Sequence, residues 1–245
     1  MLEVQDLCVE LGGASVLRGI TATFRPGTVT AICGPNGAGK STLLAALAGL
    51  LPAASGKVLL DGEALSAIPA RQRARAIGYL PQAGEVAWNL SVEALATLGR
   101  LPHGDSDIQA VHAALEATGM AGFAQRPIAT LSGGEKARAL LARVLASGPR
   151  WILADEPLAA LDLGHQLAML RHLRSAAQGG VGVVLVLHDL PLAMNHADHV
   201  LVLDGGALHA SGPPEVALSP DTIGQVWKTR ARWLGEPGTR ALSIS

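Results

Sequence analysis

Cysteine, aromatic residues and net charge are all scarce in this chain, and each scarcity removes a class of function. The two cysteines among 245 residues, Cys8 and Cys33, sit far apart in strand-like runs without metal-ligand spacing. They read as buried, reduced thiols rather than as a disulfide framework or a zinc site. His188, His196 and His199 lie close in sequence but have neither H-x-x-x-H spacing nor cysteine support, so no metal cluster is expected there. Aromatics make up 3%, with one Tyr and two Phe, which leaves little with which to stack a base. A net charge of -1 supplies no basic surface, and nucleic acid is not expected as a partner. Long apolar runs are missing too: Leu43 to Ala54 and Val181 to Leu187 are core-sized, too short to span a bilayer. With no basic-plus-apolar leader at the N-terminus, the chain is expected in the cytoplasm unless something anchors it. What is abundant is apolar residue, 49% of the chain with a mean hydropathy of +0.33. That suffices for a large core and implies apolar surface reserved for a partner.

The strongest positive signal is Gly34-Pro35-Asn36-Gly37-Ala38-Gly39-Lys40-Ser41-Thr42, between the apolar run Val29 to Cys33 and the helix-like segment Leu43 to Leu51. It is G-x-x-x-x-G-K-[ST] in strand–loop–helix context, a phosphate-binding loop. Its glycines let successive N–H groups curl toward phosphate oxygens, and the helix that starts near Lys40 adds its positive end. Lys40 would reach the β- and γ-phosphates, and the Ser41 hydroxyl would ligate Mg²⁺. ATP or another nucleoside triphosphate, with Mg²⁺, is therefore the expected ligand.

Along the chain, strands and helices alternate with one internal break. Leu2 to Leu11 and Val16 to Phe24 read as an antiparallel pair about the Gly12-Gly13 turn. Lys57 to Leu60 and Ile77 to Leu80 are short strands around an Arg-rich surface segment, Arg71 to Arg75. From Ser91 to about Ala124 the periodicity turns helical, with Asp105-Ser106-Asp107 as a helix start. Trp151 to Ala154, Val181 to Leu187 and Val200 to Leu203 then return as strands of a buried parallel sheet, and Gly205-Gly206 leads into a last short strand. The expectation is an α/β fold with a nucleotide-binding core at 1–82 and 131–230. A helical subdomain has its main part at 83–130, and a loosely packed tail covers 234–245.

Ile152-Leu153-Ala154-Asp155-Glu156 is an apolar strand ending in two acids. A simple strand-terminal turn would explain it equally well, but beside a phosphate loop the pair reads as chemistry: Asp155 holds Mg²⁺ and Glu156 polarises the attacking water. Upstream, Leu131-Ser132-Gly133-Gly134-Glu135 precedes the helical run Ala137 to Ala146. A capping box accounts for Ser132 and Glu135 but not for two adjacent glycines, and a glycine-flanked helix N-terminus is a second phosphate-binding device. Phosphate loop, Gln82, Leu131 to Glu135, Asp155-Glu156, Ala160-Leu161-Asp162 and His188 follow one another as in the ATP-binding subunits of ABC transporters. The chain resembles that family from Leu2 to about Trp227.

The resemblance implies a P-loop NTPase core of ABC ATPase type with an antiparallel β subdomain and an inserted helical subdomain. It also implies a homodimer paired head-to-tail, in which Ser132, Gly133, Gly134 and Glu135 of one subunit face the nucleotide on the other's phosphate loop. Gln82 is assigned to Mg²⁺ and the attacking water, Asp162 to the interface, and His188 to the γ-phosphate and water. The chain departs from the family pattern in three places. Leu11 stands where an aromatic usually stacks on adenine, so Leu11 and Val16 become aliphatic adenine contacts; Leu158 replaces a small hydroxyl residue, and Lys136 a common Gln. Leu98-Gly99-Arg100-Leu101-Pro102-His103, Arg126-Pro127 and Leu161 to Gln166 together resemble the ATPases of bacterial importers for ferric siderophores, haem and cobalamin, although Arg100 and His103 could simply cap a helix. The implied partners are an integral-membrane permease and, indirectly, an external substrate-binding protein, with the chain peripheral on the cytoplasmic side of the inner membrane. The second function class is a soluble ATPase of the same architecture that drives iron–sulfur cofactor assembly. Within import, Trp88 in the segment Ala83 to Leu90 would anchor the permease, or would pack beneath the helical subdomain.

Overall fold

The computed structural model describes residues 1–82, 90–159 and 161–244. Its first strands, β1 (Leu2–Leu11) and β2 (Ala14–Phe24), pair antiparallel across the Gly12-Gly13 turn. Then come β3 (Val29–Cys33), α1 (Lys40–Leu47), β4 (Ser55–Leu60), the short β5 (Glu63–Ala64), α2 (Ala70–Ala76) and β6 (Ile77–Leu80). A helical stretch holds α3 (Val92–Thr97), α4 (Ile108–Ala117) and α5 (Gly133–Ala146). The second half runs β7 (Trp151–Asp155), α6 (Leu163–Gln178), β8 (Gly182–Val186), α7 (Leu190–His196), β9 (His199–Asp204) and β10 (Ala207–Gly212). It closes with α8 (Pro214–Ala217), α9 (Pro220–Trp227), β11 (Ala231–Leu234) and β12 (Ala241–Ile244).

Two principal sheets result: a four-stranded antiparallel one, in the order β2-β1-β4-β5, and a six-stranded one, in the order β10-β9-β3-β8-β7-β6. In the larger sheet β9, β3, β8, β7 and β6 are parallel and only β10 is antiparallel. Its strands read as continuous apolar runs because both faces are covered, and successive side chains alternate between two cores. Ile32, Leu153, Val184, Val186, Leu201 and Leu203 face Leu43, Leu44 and Leu47 of α1, which is sandwiched against Leu7, Leu17 and Ile20 of the antiparallel sheet. Ala31, Ile152, Ala154, Val183, Leu185, Val200 and Val202 face the other way, toward Met169 and Leu173 of α6 and Ala193 of α7.

The helical unit, whose main part the sequence places at 83–130, packs closely on the helix that follows it. α3 and α4 both pack on α5, so the helix that opens with Gly133 belongs to this unit as much as to the core. Arg100 and His103 take the capping role. The Arg100 guanidinium donates to the Ala146 carbonyl at 3.1 Å and the His103 ring meets the Ser147 carbonyl at 2.9 Å, satisfying carbonyls that α5 leaves open at its end. Arg71 and Arg75 of α2 in turn donate to the carbonyls of Pro102 and His103. The Arg-rich segment thus ties the core to the helical unit.

The tail is not loose. β11 and β12 form a hairpin whose turn holds Gly235 and Gly238, both with positive φ. The Asn195 side chain of α7 clasps it at two points, donating to the Arg240 carbonyl and accepting from its N–H, each at 2.8 Å. The Trp233 indole N–H donates to the Leu218 carbonyl at 2.7 Å. Gly and Pro in this segment make a turn rather than disorder.

Candidate nucleotide site

Because five strands run parallel, the loops after their carboxyl ends share one edge of the sheet, and that edge collects the candidate site. After β3 the chain turns at Gly34, where an added Cβ would strike the Leu203 carbonyl oxygen. At Gly39 (φ +93°) an added Cβ would fall 2.6 Å from a Leu17 methyl, whereas Gly37 (φ +79°) faces open space. The loop is therefore pinned at both ends and open at its crest. Lys40 is buried at 5% exposure, its amine donating to the Gly34 and Pro35 carbonyls at 2.9 and 2.8 Å. Burial lowers its pKa, while Glu156, Cys33 and Asp155 oppose that fall. Among the other loop residues Ala38 is buried, Pro35 and Thr42 are half-buried, and Asn36 and Ser41 are exposed.

The Ser41 hydroxyl donates to Asp155 Oδ1 at 2.9 Å across the gap between α1 and the end of β7. Burial is the main reason the Asp155 pKa is raised, and Glu156 adds to it; the Ser41 hydrogen bond and Lys40 pull the other way. The pair is a hard-oxygen donor set of the kind that suits a small divalent cation such as Mg²⁺.

Glu156 follows directly in the left-handed region at φ +47°, a conformation that costs a non-glycine residue on the order of 1 kcal/mol. The bend carries its carboxylate between two neighbours: Oε2 accepts from Gln82 Nε2 at 2.6 Å, and Oε1 meets His188 Nε2. Gln82 lies just beyond β6, Glu156 beyond β7 and His188 beyond β8, so three strand ends converge on one carboxylate.

Ser132 caps α5 with a full capping box: its hydroxyl accepts from the Glu135 N–H, and the Glu135 carboxylate accepts from the Ser132 N–H at 2.8 Å. That backbone bond holds the Glu135 carboxyl below the usual range. Gly133 is exposed and Gly134 is buried. A cavity of about 170 Å³ brings Gln82, Gly133, Lys136, Glu156 and Leu161 together, and no residue of the 34–42 loop lines it. Asp162 caps α6 with its side chain 71% exposed, and among the described residues no hydrogen bond links it or Ser132 to the 34–42 loop. Val16 is half-buried against the loop, its carbonyl 3.2 Å from a Cβ placed on Gly39, while Leu11 is exposed at the end of β1. Leu158 is buried in the main core. Trp88 and Ala160 lie outside the described residues.

Of the two cysteines, Cys33 is fully buried, which pushes its thiol up to about 12, whereas Cys8 is only half-buried and accepts from the Gly19 N–H. His196 and His199 stand apart from His188: the His199 ring meets the Ser211 hydroxyl at 2.9 Å, and no group of three metal-ligating side chains occurs among the described residues. No helix of the described residues is long and apolar enough to cross a membrane. His165 entered the sequence reading only as part of a resemblance. Its ring nitrogen Nδ1 bonds Asp162 Oδ1, and the D-x-x-H spacing about a helix start was the available signal.

The ABC transporter family model matches residues 17–159. The hemin import ATP-binding protein HmuV of Streptomyces coelicolor is 44% identical over 97% of this chain and 87% of its own length. HmuV of Pseudomonas entomophila is 43% identical over 93% of this chain and 92% of its own. The cobalamin import ATP-binding protein BtuD of Halobacterium salinarum is 38% identical over the whole chain and 63% of its own length. Among solved structures, a metal-chelate type ABC transporter in an inward-facing conformation superposes with a TM-score of 0.84 at 25% identity, covering 100% of this chain and 96% of that one.

Proposed function

The chain belongs to the ABC transporter family, and from that premise we propose that it is the ATP-hydrolysing subunit of an importer for haem, cobalamin or a related iron chelate. The observation that carries the chemistry is the placement of Glu156. A carboxylate held between Gln82 and His188, beside a buried lysine and a Ser–Asp oxygen pair, is a water-activating group next to a phosphate cradle. Lys40 exchanges its loop carbonyls for the β- and γ-phosphates of ATP, and the loop N–H groups take the remaining oxygens. Ser41 and Asp155, with Gln82, would hold Mg²⁺, whose chemistry is to neutralise charge on the phosphate oxygens. Glu156 orients the attacking water and accepts its proton, with Gln82 and His188 fixing the carboxylate.

Ser132 and Asp162 are exposed and, among the described residues, their side chains bond only Glu135 and His165 of their own chain, which supports a head-to-tail homodimer in which each turn completes the partner's site. The peripheral position on a permease at the cytoplasmic face of the inner membrane rests on the relatives' import function. It also draws on exposed apolar surface: Leu50 is 59% and Leu101 69% exposed. Arg73 of α2 lines a cavity alongside Leu50, and Arg71 of α2 donates to the carbonyl of Pro102, the residue after Leu101. The external substrate-binding protein enters through the permease. The relatives' printed function favours import over the iron–sulfur assembly reading.

The test is reconstitution in proteoliposomes with a permease of the haem, cobalamin or siderophore import type and its binding protein. ATP hydrolysis should rise severalfold when the binding protein carries haem, cobalamin or a ferric siderophore, and one of the three should dominate. A chain whose ATPase is indifferent to permease and to every loaded binding protein would contradict the import reading.

A further inference from the structure

The two elements assigned to the partner's nucleotide, the Ser132–Gly134 turn and Asp162, touch through one side chain. Asp162 Oδ1 accepts from the backbone N–H of His165 at 2.9 Å and bonds its ring Nδ1 at 2.8 Å. A carboxylate only accepts, so the ring carries its proton on Nδ1 and its orientation is set. Both bonds hold the Asp162 carboxyl below the usual carboxylate range. The same ring lies directly on Gly134: a Cβ added there would overlap ring carbons Cγ and Cδ2 and sit 2.7 Å from Nε2. Only glycine admits the imidazole at this distance, which gives the second glycine of the turn a packing reason within its own chain. Gln166, the next residue, donates to the Leu158 carbonyl at 3.3 Å and ties the start of α6 to the segment that follows Glu156. The His165 side chain is 35% exposed, and its ring is covered on the Gly134 side.

The geometry points to His165 as a positioning residue for ATP hydrolysis. It registers the N-terminus of α5 against Asp162, so that both meet the partner subunit's nucleotide together. This rests on the head-to-tail reading above. His165 has no hydrogen bond to the 34–42 loop among the described residues; it acts through Gly134 and Asp162. Removing the ring frees the α5 turn and the Asp162 carboxylate to move independently, and displacements of an ångström at a reacting site cost on the order of a hundredfold in rate.

The experiment compares His165→Ala, His165→Asn and His165→Gln in the full chain. Steady-state phosphate release and the affinity of the monomer for a fluorescent ATP analogue are measured on each. ATP-dependent dimerisation is followed by size exclusion in a Glu156→Gln background. Asn places an amide N–H where the ring has Nδ1, whereas Gln places it nearer Nε2 and cannot restore the Asp162 bond. His165→Ala should bind the analogue within about twofold of wild type while kcat falls about tenfold or more and the dimer weakens. His165→Asn should recover to within about threefold, and His165→Gln should not. A wild-type kcat and dimer for His165→Ala would overturn the proposal, as would equal rescue by Gln and Asn. If the Glu156→Gln chain with His165 intact forms no ATP-dependent dimer, the head-to-tail reading itself fails, before any His165 substitution is made.

Discussion

Replacing Glu156 with Gln separates fold from chemistry at the centre of the site. The carboxylate has two partners, the Gln82 amide at Oε2 and the His188 ring at Oε1. A glutamine keeps the size of the side chain and, with its oxygen toward Gln82 and its N–H₂ toward an unprotonated His188 nitrogen, keeps both hydrogen bonds. The left-handed backbone at this position is retained as well, because Gln and Glu share the same steric cost there. Stability should therefore change by no more than about 1 kcal/mol, the scale of one altered hydrogen bond. What is lost is the ability to take a proton from water. A positioned general base contributes about 10²–10⁴ in rate, which at about 1.4 kcal/mol per tenfold adds roughly 3–5 kcal/mol to the barrier. The assay is kcat from phosphate release beside a thermal melt and a nucleotide-binding isotherm. A hundredfold or greater fall in kcat, with the melt and the affinity near wild type, is expected. A loss below tenfold would remove Glu156 from the role of base. A large fall in melting temperature with proportionate loss of binding would show that its bonds to Gln82 and His188 are structural.

Lys40→Ala should weaken ATP binding about 10–100-fold, the scale of a charged hydrogen bond to phosphate, with little effect on the melt; unchanged affinity by calorimetry would contradict the loop assignment. Arg100 holds the Asp105 carboxyl down to about 2, so the pair stabilises the fold above the unfolded aspartate's pKa of about 3.9 and loses that contribution as pH falls toward 2. Wild type should thus melt above Asp105→Asn at pH 6, and the two curves should converge as the pH drops below about 4. A gap that stays constant down to the lowest pH at which both remain folded would show that the ion pair is not its source. Asn195→Ala removes both bonds to Arg240, about 1–3 kcal/mol together, and should expose the hairpin to trypsin at Arg232 and Arg240; unaltered digestion would place the hairpin's anchor in the Trp233 contacts.

What the sequence made legible follows from the range of the interactions involved. The phosphate loop is contiguous, and its spacing alone identifies Lys40 and Ser41. The parallel strands betray themselves by apolar runs, because both faces of β3, β7, β8 and β9 are buried. Gln82, Glu156 and His188 carry no shared local signal; they are joined by strand order, and only the resemblance to a family linked them before the geometry did. The remainder was hidden for specific reasons. Asn195 reaches Arg240 across 45 residues by side-chain bonds to backbone, which leave no periodicity, so the Gly and Pro of a tight hairpin look like those of a free tail. Arg71 and Arg75 read as solvated surface because their acceptors are main-chain carbonyls of a distant loop. That α5 is shared between the helical unit and the core is a matter of packing, which chain order does not show.

The most direct test of the account is a disulfide crosslink between cysteines placed at Ser132 and Gly37, in a chain with Cys8→Ser, Cys33→Ala and Glu156→Gln. The account predicts an intersubunit product whose yield rises with ATP and falls when ATP is withdrawn. A product formed only within one chain, or an intersubunit yield indifferent to ATP, would contradict the composite site on which the proposed transport function depends.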